Sequence, residues 1–362
     1  MRNPLKRGAW LFVACVLPTL VISPFAQAQV TTPGQFQVSE SGAATYTIPI
    51  QVAPGVGGME PKLSLSYSSQ AGNGLLGAGW SLGGLGGVGR CPRTMAQDGV
   101  RGAVNYDAND RYCLDGQRLI AISGSEGGDG TEYRTERESF AKIVSYGSAG
   151  NGPSWFKVWT KAGQVMEYGR TTDARIEAVK AAGSNAAWPA GTVSIWSLNK
   201  ITDVKGNYIS VTYTKDAQNG DYVPLRIDYT GNVTSGSAPH SSVQFSYESR
   251  PDNTVFYQAS AQMRSMSRLT KVKLFSDSTQ TKEYQFQYSQ SSSTFRSLLS
   301  SVKECTPDGV CLPPLTFSYQ RGADGSFVGQ TPFNFGTDIN SWDPMYWTYG
   351  DFNGDGKLDI IQ

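Results

Sequence analysis

The sequence has little charge, almost no histidine and no extended block of one sign. Asp, Glu, Lys and Arg make up 17% of the 362 residues, and the formal net charge is +1 at pH 7. A nucleic-acid-binding surface needs a concentration of Lys and Arg, so the sequence offers no basis for nucleic-acid binding. The single histidine, His240, excludes a metal site built from two imidazoles. It lies in the polar loop sequence "GSAPHSS", which favours a structural role over membership of a serine-hydrolase triad.

Long hydrophobic runs are also missing, except at the N-terminus. There the apolar run "AWLFVACVLPTLVI" follows Arg2, Lys6 and Arg7 and precedes the small-residue sequence "AQA". This order predicts an export signal peptide over residues 1–28. The run has 14 residues, whereas a membrane-spanning helix needs about 20. The sequence therefore predicts a secreted protein without a stable membrane span after cleavage, with the periplasm or the cell surface as alternative locations.

Cysteine is scarce outside this signal. Four cysteines follow it: Cys91, Cys113, Cys305 and Cys311. Four cysteines allow three pairings, and proximity along the chain favours Cys91–Cys113 and Cys305–Cys311. Export to an oxidising compartment makes disulfides the expected state. Zinc is the less favoured alternative, because neither pair has close C-x-x-C spacing and no histidine lies near.

Glycine, serine, threonine and aromatic residues are plentiful, and they favour strands and turns. Residues 36–52 and 61–69 alternate apolar and polar side chains, and further strand candidates follow to residue 319 with a turn every 10–15 residues. This pattern predicts an all-β (mainly β) fold with a large meandering antiparallel sheet. Residues 29–35 are expected to form a linker. Only residues 172–187 have a weakly helical pattern.

The stretch "AGNGLLGAGWSLGGLGGVGR" at residues 71–90 contains a G-x-G-x-x-G sequence. A dinucleotide site needs a helix that begins inside such a motif, and the glycines that follow here exclude one. The alternative is structural: glycine permits positive φ and close backbone approach. We therefore expect a tight β-corner in which Trp80, Leu82 and Leu85 are buried, and we predict no cofactor-binding residue in it.

Glu136 and Glu138 form an E-x-E pair of the kind that ADP-ribosyltransferases use. Two alternating glutamates also occur on the solvent face of an ordinary strand. No Ser-Thr-Ser motif with an upstream arginine accompanies the pair. The sequence therefore predicts no catalytic residue.

The C-terminal sequence "DFNGDGKLD" has the spacing of a calcium loop. Asp351, Asn353, Asp355 and Asp359 fall at positions 1, 3, 5 and 9, and the main-chain carbonyl of Lys357 falls at position 7. Calcium prefers hard oxygen ligands at this spacing. No helix precedes the loop and position 12 is not Glu, so an EF-hand is not indicated. The prediction is a Ca²⁺ site, and the alternative is an acidic β-turn that binds no ion.

Residues 36–120, including "SYSSQAGNGLLGAGWSLGG" and "DRYCLDGQRL", resemble the N-terminal domain of the SpvB family, which includes B components of insecticidal toxin complexes and RHS-like secreted proteins. The resemblance implies an SpvB-like β domain over residues 36–325. The calcium-loop sequence resembles an FG-GAP/VCBS repeat. This implies the first, truncated element of a β-propeller over residues 326–362.

These resemblances imply a non-enzymatic secreted β scaffold. Such a scaffold would form the N-terminal part of an SpvB, toxin-complex B or RHS-type toxin or surface protein. It would encapsulate, present or dock a toxin region, and its partners would be a C-terminal RHS or toxin region or companion toxin subunits. Two alternatives remain: a catalytic toxin of ADP-ribosyltransferase type that uses Glu136 and Glu138, and a calcium-dependent adhesin or ligand-binding propeller.

Overall fold

The computed structural model describes residues 31–319, 348–350 and 359–361, and strands predominate in them. The all-β prediction is confirmed. Within these described residues, helical structure is limited to one turn of α-helix, α1 (Met95–Asp98), and a 3-10 turn at Val56–Gly58. The strands are β1 (Gln35–Val38), β2 (Ala44–Ile50), β3 (Leu63–Ser68), β4 (Asn73–Gly74), β5 (Gly77–Ala78), β6 (Trp80–Gly83), β7 (Gly87–Cys91), β8 (Arg111–Leu114), β9 (Gln117–Ser123), β10 (Glu132–Thr135), β11 (Lys142–Tyr146), β12 (Trp155–Trp159), β13 (Val165–Tyr168), β14 (Arg175–Glu177), β15 (Val179–Lys180), β16 (Val193–Thr202), β17 (Asn207–Asp216), β18 (Asp221–Asn232), β19 (Ser241–Gln258), β20 (Ala261–Ser276), β21 (Thr279–Gln290), β22 (Ser297–Cys305), β23 (Leu315–Thr316), β24 (Thr348–Gly350) and β25 (Asp359–Ile361).

A small antiparallel sheet has the strand order β1-β2-β3-β6. Alternation decides which of its faces is buried, because successive side chains in a strand point to opposite faces. Ile48 and Ile50 in β2, and Leu63 and Leu65 in β3, are all nearly inaccessible to solvent. Pro49 and Ser64, which lie between them in the two strands, are on the other face.

A long meander runs from β17 to β22, and each strand pairs antiparallel with the next. Two of its turns have two residues, Ala259-Ser260 and Asp277-Ser278, and all four residues have positive φ. Positive φ at both central residues gives the twist that matches a tight β-hairpin. The small sheet packs against this meander, and the two share one apolar core. We call this unit the sandwich.

A second unit is a closed ring of eight strands, β7-β8-β9-β10-β11-β12-β13-β16. Strand β16 belongs to both units. Its first half pairs with β7 and β14, and its second half pairs with β13 and with β17 of the meander. The ring has its own core, which is rich in aromatic side chains.

A second contact ties the two units together. The tip of the β19–β20 hairpin reaches β15, with Val179 opposite Gln262 and Lys180 opposite Ala261. Ala261 also joins a small buried cluster with Tyr106 and Trp188. The hairpin therefore extends beyond the sandwich to the loops of the ring.

The weak helix expected at residues 172–187 is wrong. The segment contains β14 and β15, and Ile176 in β14 is buried opposite Ile195 of β16. Pairing and burial of this β-branched side chain outweigh a weak helical preference. In the described part of the chain, no helix has the length and apolar character needed to cross a membrane.

Candidate ligand cleft at the glycine-rich corner

The glycine-rich stretch forms a corner that carries the chain from the sandwich into the ring. It contains β4, β5 and β6 on the sandwich side and β7 on the ring side. Gly77 and Gly84 have φ values of 93° and 99°, and a Cβ at either would overlap a backbone carbonyl, that of Ser297 or of Lys62. Positive φ and close approach are conditions that only glycine satisfies without strain. These glycines therefore have the structural role that the sequence predicts. The described residues of the motif form strands and turns, and no helix begins among them.

Trp80 anchors the corner in the sandwich core. Its side chain is 2% exposed and contacts the rings of Tyr46, Tyr67 and Phe317, with centroids 6.5, 5.3 and 4.9 Å away. Its indole Nε1 donates a hydrogen bond to the hydroxyl of Tyr319 over 2.9 Å. The predicted burial of Trp80 is therefore correct, and the buried indole nitrogen has the partner that it needs.

The prediction that Leu82 and Leu85 are buried like Trp80 is wrong. Both are only partly buried against the sandwich core. They lie at the open side of the corner, where they line a cleft.

A buried ion pair holds the corner to the meander. The guanidinium of Arg250 donates to Gly74 O at 3.1 Å and to Asn73 Oδ1 at 2.9 Å, and it pairs with Asp252. Asp252 in turn accepts a hydrogen bond from the backbone N–H of Ser297 at 2.6 Å. Burial alone would raise the pKa of Asp252, but the hydrogen bonds from Arg250 and Ser297 outweigh it and hold that pKa well below its usual range.

The cleft beside this corner has a volume of about 360 Å³. It lies between the corner, β16 and β18, and it extends to β20 through Ser265. Its apolar lining is Leu75, Leu82, Leu85, Ile195 and Pro224, and its polar side chains are Asn73, Ser81, Ser197, Tyr213, Asp221, Tyr222 and Ser265. A mainly apolar cleft of this size with a few polar groups has the usual composition of a small-ligand site.

Asp221 is the only ionisable carboxyl in this lining. Its Oδ2 accepts hydrogen bonds from Ser267 Oγ at 2.9 Å and from the backbone N–H of Met266 at 3.2 Å. Burial raises the pKa of Asp221, because desolvation disfavours the charged form more than these hydrogen bonds favour it. Tyr213 donates its hydroxyl proton to Leu198 O at 2.7 Å, and burial raises its pKa. Tyr213 is therefore a neutral wall of the cleft.

Sequence reasoning missed this cleft. Asp221 is separated in sequence from the corner, and its only local signal is its position directly after the Asn219-Gly220 turn. The lining residues come from segments that are far apart in the sequence, and strand pairing brings them together. Local periodicity does not predict such long-range pairing.

The structure does not bring Glu136 and Glu138 to the cleft. Both follow the end of β10 in a loop, so the expectation that they alternate along a strand is wrong. Glu136 accepts from Gln97 Nε2 at 2.7 Å, and Glu138 accepts from the backbone N–H of Phe140 at 2.6 Å. These bonds give both carboxylates local structural roles. His240 is about half exposed, with Nδ1 2.9 Å from Asp277.

Both favoured disulfide pairings are present. Cys91 in β7 is bonded to Cys113 in β8 within the ring, and Cys305 at the end of β22 is bonded to Cys311. The second closes the turn that contains the Pro-Asp-Gly sequence. Each disulfide thus joins neighbouring segments of a single unit.

Four of the five predicted calcium ligands, Asp351, Asn353, Asp355 and Lys357, lie outside the described residues. Asp359 begins β25 and is the register partner of Gly350 in β24. Among the residues that the structure covers, no group of three His, Cys, Asp or Glu side chains is placed to hold a metal ion.

Comparison with known proteins gives a family match over residues 38–229, to the family described as Salmonella virulence plasmid 65kDa B protein. The chain is 25% identical over 229 residues to "Mono(ADP-ribosyl)transferase SpvB" of Salmonella choleraesuis (strain SC-B67), and a match with the same name comes from Salmonella typhimurium. The first alignment covers 58% of this chain and 36% of the relative. The chain thus spans about a third of the length of the curated relatives that it matches.

Solved structures show the same fold. The structure described as TcdB2-TccC3 matches 81% of this chain with a TM-score of 0.64 at 20% identity, and the match is 17% of that longer chain. The Photorhabdus luminescens Tc holotoxin pore structure gives a TM-score of 0.64 at 18% identity, with 81% and 16% covered. The N-terminal domain of effector protein SpvB from Salmonella typhimurium strain LT2 gives 0.56 at 18% identity, with 72% of this chain and 98% of that domain covered.

Proposed function

The chain belongs to the family described as Salmonella virulence plasmid 65kDa B protein, and we propose that it is a non-enzymatic β scaffold of an exported toxin or surface protein. In this role it presents, encloses or docks a toxin region. The observation that carries the proposal is the likeness of 81% of the chain to one part of TcdB2-TccC3, a much longer toxin assembly. Its partners would then be a C-terminal toxin region or companion toxin subunits.

The architecture supports a rigid presenting role. The ring and the sandwich share β16 and are linked again by the β19–β20 hairpin. Two connections at separate places restrict relative motion of the units, because a hinge at one connection would break the other. A rigid platform loses little conformational entropy when it binds a partner.

Two observations favour the scaffold over the catalytic alternative. The curated relatives are named for mono(ADP-ribosyl)transferase activity, but this chain spans only 36% of the first of them. Its structural likeness to SpvB covers nearly all of the N-terminal domain of that effector. Glu136 and Glu138, moreover, are engaged in local hydrogen bonds and do not line the cleft at the glycine-rich corner.

The test of docking is co-expression of the tagged chain with the companion toxin subunit or toxin region encoded beside it, followed by size-exclusion chromatography. The scaffold role predicts that the two proteins elute together in a fixed ratio. Separate elution of two folded proteins would contradict it. A preparation of the chain alone gives the reference elution volume.

A calcium loop of FG-GAP/VCBS type is a second element of the proposal. The donor set of Asp351, Asn353, Asp355, Asp359 and the Lys357 carbonyl consists of hard oxygen atoms, which suits Ca²⁺. Strands β24 and β25, which flank this sequence, pair antiparallel with Gly350 opposite Asp359. This pairing brings the two ends of the segment together, as a closed ion-binding loop requires.

Calorimetric titration of the whole chain with CaCl₂ tests the calcium proposal. Binding heat that disappears in an Asp351→Asn/Asp355→Asn variant is expected. No heat at millimolar calcium, or equal heat in the variant, would contradict it. The absence of calcium binding would also count against the alternative of a calcium-dependent adhesin.

A further inference from the structure

The cleft over Asp221 contains a carboxylate without a cationic partner among the described side chains. Of the cations that border the region, Lys215 is paired with Glu177 and Arg250 with Asp252. A third, Lys180, donates from Nζ to Ala186 O. Two hydrogen bonds to the Asp221 side chain, from Met266 and Ser267, end on Oδ2, and the backbone N–H of Tyr222 supplies a third to the carboxylate. A carboxylate has about four acceptor positions, so Asp221 can still accept a hydrogen bond from an incoming donor.

A second cavity opens beside this carboxylate. It has a volume of about 240 Å³, and Asp221 lines it together with Glu177, Lys180, Lys215 and Asp216. Asp221 thus lies between two cavities. The Asp216 carboxylate accepts hydrogen bonds from its own turn, at Gln218 and Asn219, and repels negative charge at Asp221.

Aliphatic side chains also line the first cleft. Leu82, Leu85, Ile195 and Pro224 form an apolar wall, and Gly86 and Gly87 complete it. A wall of this kind removes methylene groups from water, while a half-buried carboxylate attracts a cation more strongly than a fully solvated one. The two features together select a ligand that is cationic at one end and aliphatic along its body.

We propose that this cleft binds an ammonium group carried on an aliphatic body, with Asp221 as the counter-ion and Leu82, Leu85, Ile195 and Pro224 as the apolar wall. A free organic amine and a lysine side chain of a peptide have this chemistry in common. The inference depends on the cleft alone, so it stands or falls independently of the docking role.

The test is ligand-observed NMR titration of the whole chain with n-hexylammonium chloride, and with n-hexanol as the uncharged analogue. The ammonium is expected to bind at least about tenfold more tightly than the alcohol, because a charge-assisted contact replaces a neutral one. Asp221→Asn should remove this preference. Asp277→Asn changes an 80% exposed carboxylate and should leave it intact.

A second variant keeps the test decisive if Asp221→Asn disturbs folding. Ser81 is exposed at the cleft, so Ser81→Phe should narrow the entrance and weaken both probes while Asp221 is retained. Equal binding of ammonium and alcohol by the wild-type chain would overturn the proposal, as would undiminished binding in both variants.

The source of the ammonium group is distinguished by a third probe, Nα-acetyl-lysine N-methylamide. A site for free amines binds n-hexylammonium more tightly, because backbone amides add bulk at the entrance. A site for a peptide side chain binds the lysine derivative more tightly. Absence of binding by either probe would overturn the inference.

Discussion

The ring and the sandwich fill their interiors differently. The sandwich core is mostly aliphatic, with side chains such as Ile48, Leu65 and Val272 between two open sheets. The ring core has a larger share of aromatic side chains, and Tyr112, Phe156 and Trp196 contact one another with centroids 5.1–5.5 Å apart. A closed ring fixes the distance between opposite strands, and these large side chains fill much of its centre. Two facing sheets can adjust their spacing to smaller ones.

The two units also place their buried charges differently. In the ring, Arg90 and Asp110 are 2.9 Å apart and almost wholly inaccessible, and the guanidinium lies over the rings of Tyr106, Tyr112 and Trp196. In the sandwich, the Arg250–Asp252 pair holds a surface corner in place. In the ring, the Arg90–Asp110 pair is therefore part of the buried interior. In the sandwich, the Arg250–Asp252 pair attaches the glycine-rich corner to the meander.

Loss of the ring ion pair should have the largest effect. Asp110→Ala leaves Arg90 buried without its counter-ion, and we expect the free energy of unfolding to fall by about 3–5 kcal/mol. Urea denaturation measures the change, and Asp277→Asn is the exposed control, because Asn tolerates the positive φ of this position. A loss no greater than that of the control would show that Arg90 finds solvent or another partner.

Removal of the sandwich anchor should cost a similar amount or slightly less. Trp80→Ala removes a buried indole, and we expect a loss of about 3–5 kcal/mol. Tyr319→Phe removes the hydrogen bond from Trp80 Nε1 and the one that the Tyr319 hydroxyl donates to Leu299 O, and it should cost about 1–3 kcal/mol. Thermal unfolding of the three proteins separates packing from hydrogen bonding; equal melting of wild type and Trp80→Ala would contradict the assigned burial.

The two disulfides should contribute unequally to the free energy of unfolding. The ring disulfide Cys91–Cys113 spans 22 residues and Cys305–Cys311 spans 6. Loop-closure entropy gives stabilisations of roughly 3 and 2 kcal/mol. Serine replacement of each pair, followed by denaturation, should show the larger loss for the ring. The reverse order would mean that native-state packing around the cysteines outweighs chain entropy.

The smallest expected effect is a pH dependence in the sandwich. The pKa of Asp252 is lower in the folded state, so its contribution is complete above the unfolded pKa of about 4 and is lost as pH falls through the folded value. Wild type should therefore lose more stability than Asp252→Asn between pH 4 and pH 2. Parallel stability curves for the two proteins would contradict the lowered pKa.

Local patterns predicted much of this structure. Alternation located strands β2 and β3, sequence proximity favoured the two disulfide pairings, and the glycines around Trp80 indicated a tight corner. Closure of the ring was not predictable, because Val88 and Trp196 pair across more than a hundred residues and no local period encodes that. The weakly helical segment at 172–187 failed for the same reason, since pairing with β16 decides its conformation. The cleft around the Asp221 carboxylate was not predictable either, because its lining residues come from the corner, β16 and β18 and meet only in the folded chain.

The scaffold claim is tested most directly by NAD turnover of the full-length natural protein and its Glu136→Gln/Glu138→Gln variant. Folding of the variant is checked by its melting temperature. We predict identical turnover by the two proteins, whether that turnover is zero or comes from another region. A folded variant that loses NAD turnover would show that this chain is catalytic and would contradict its assignment as a scaffold.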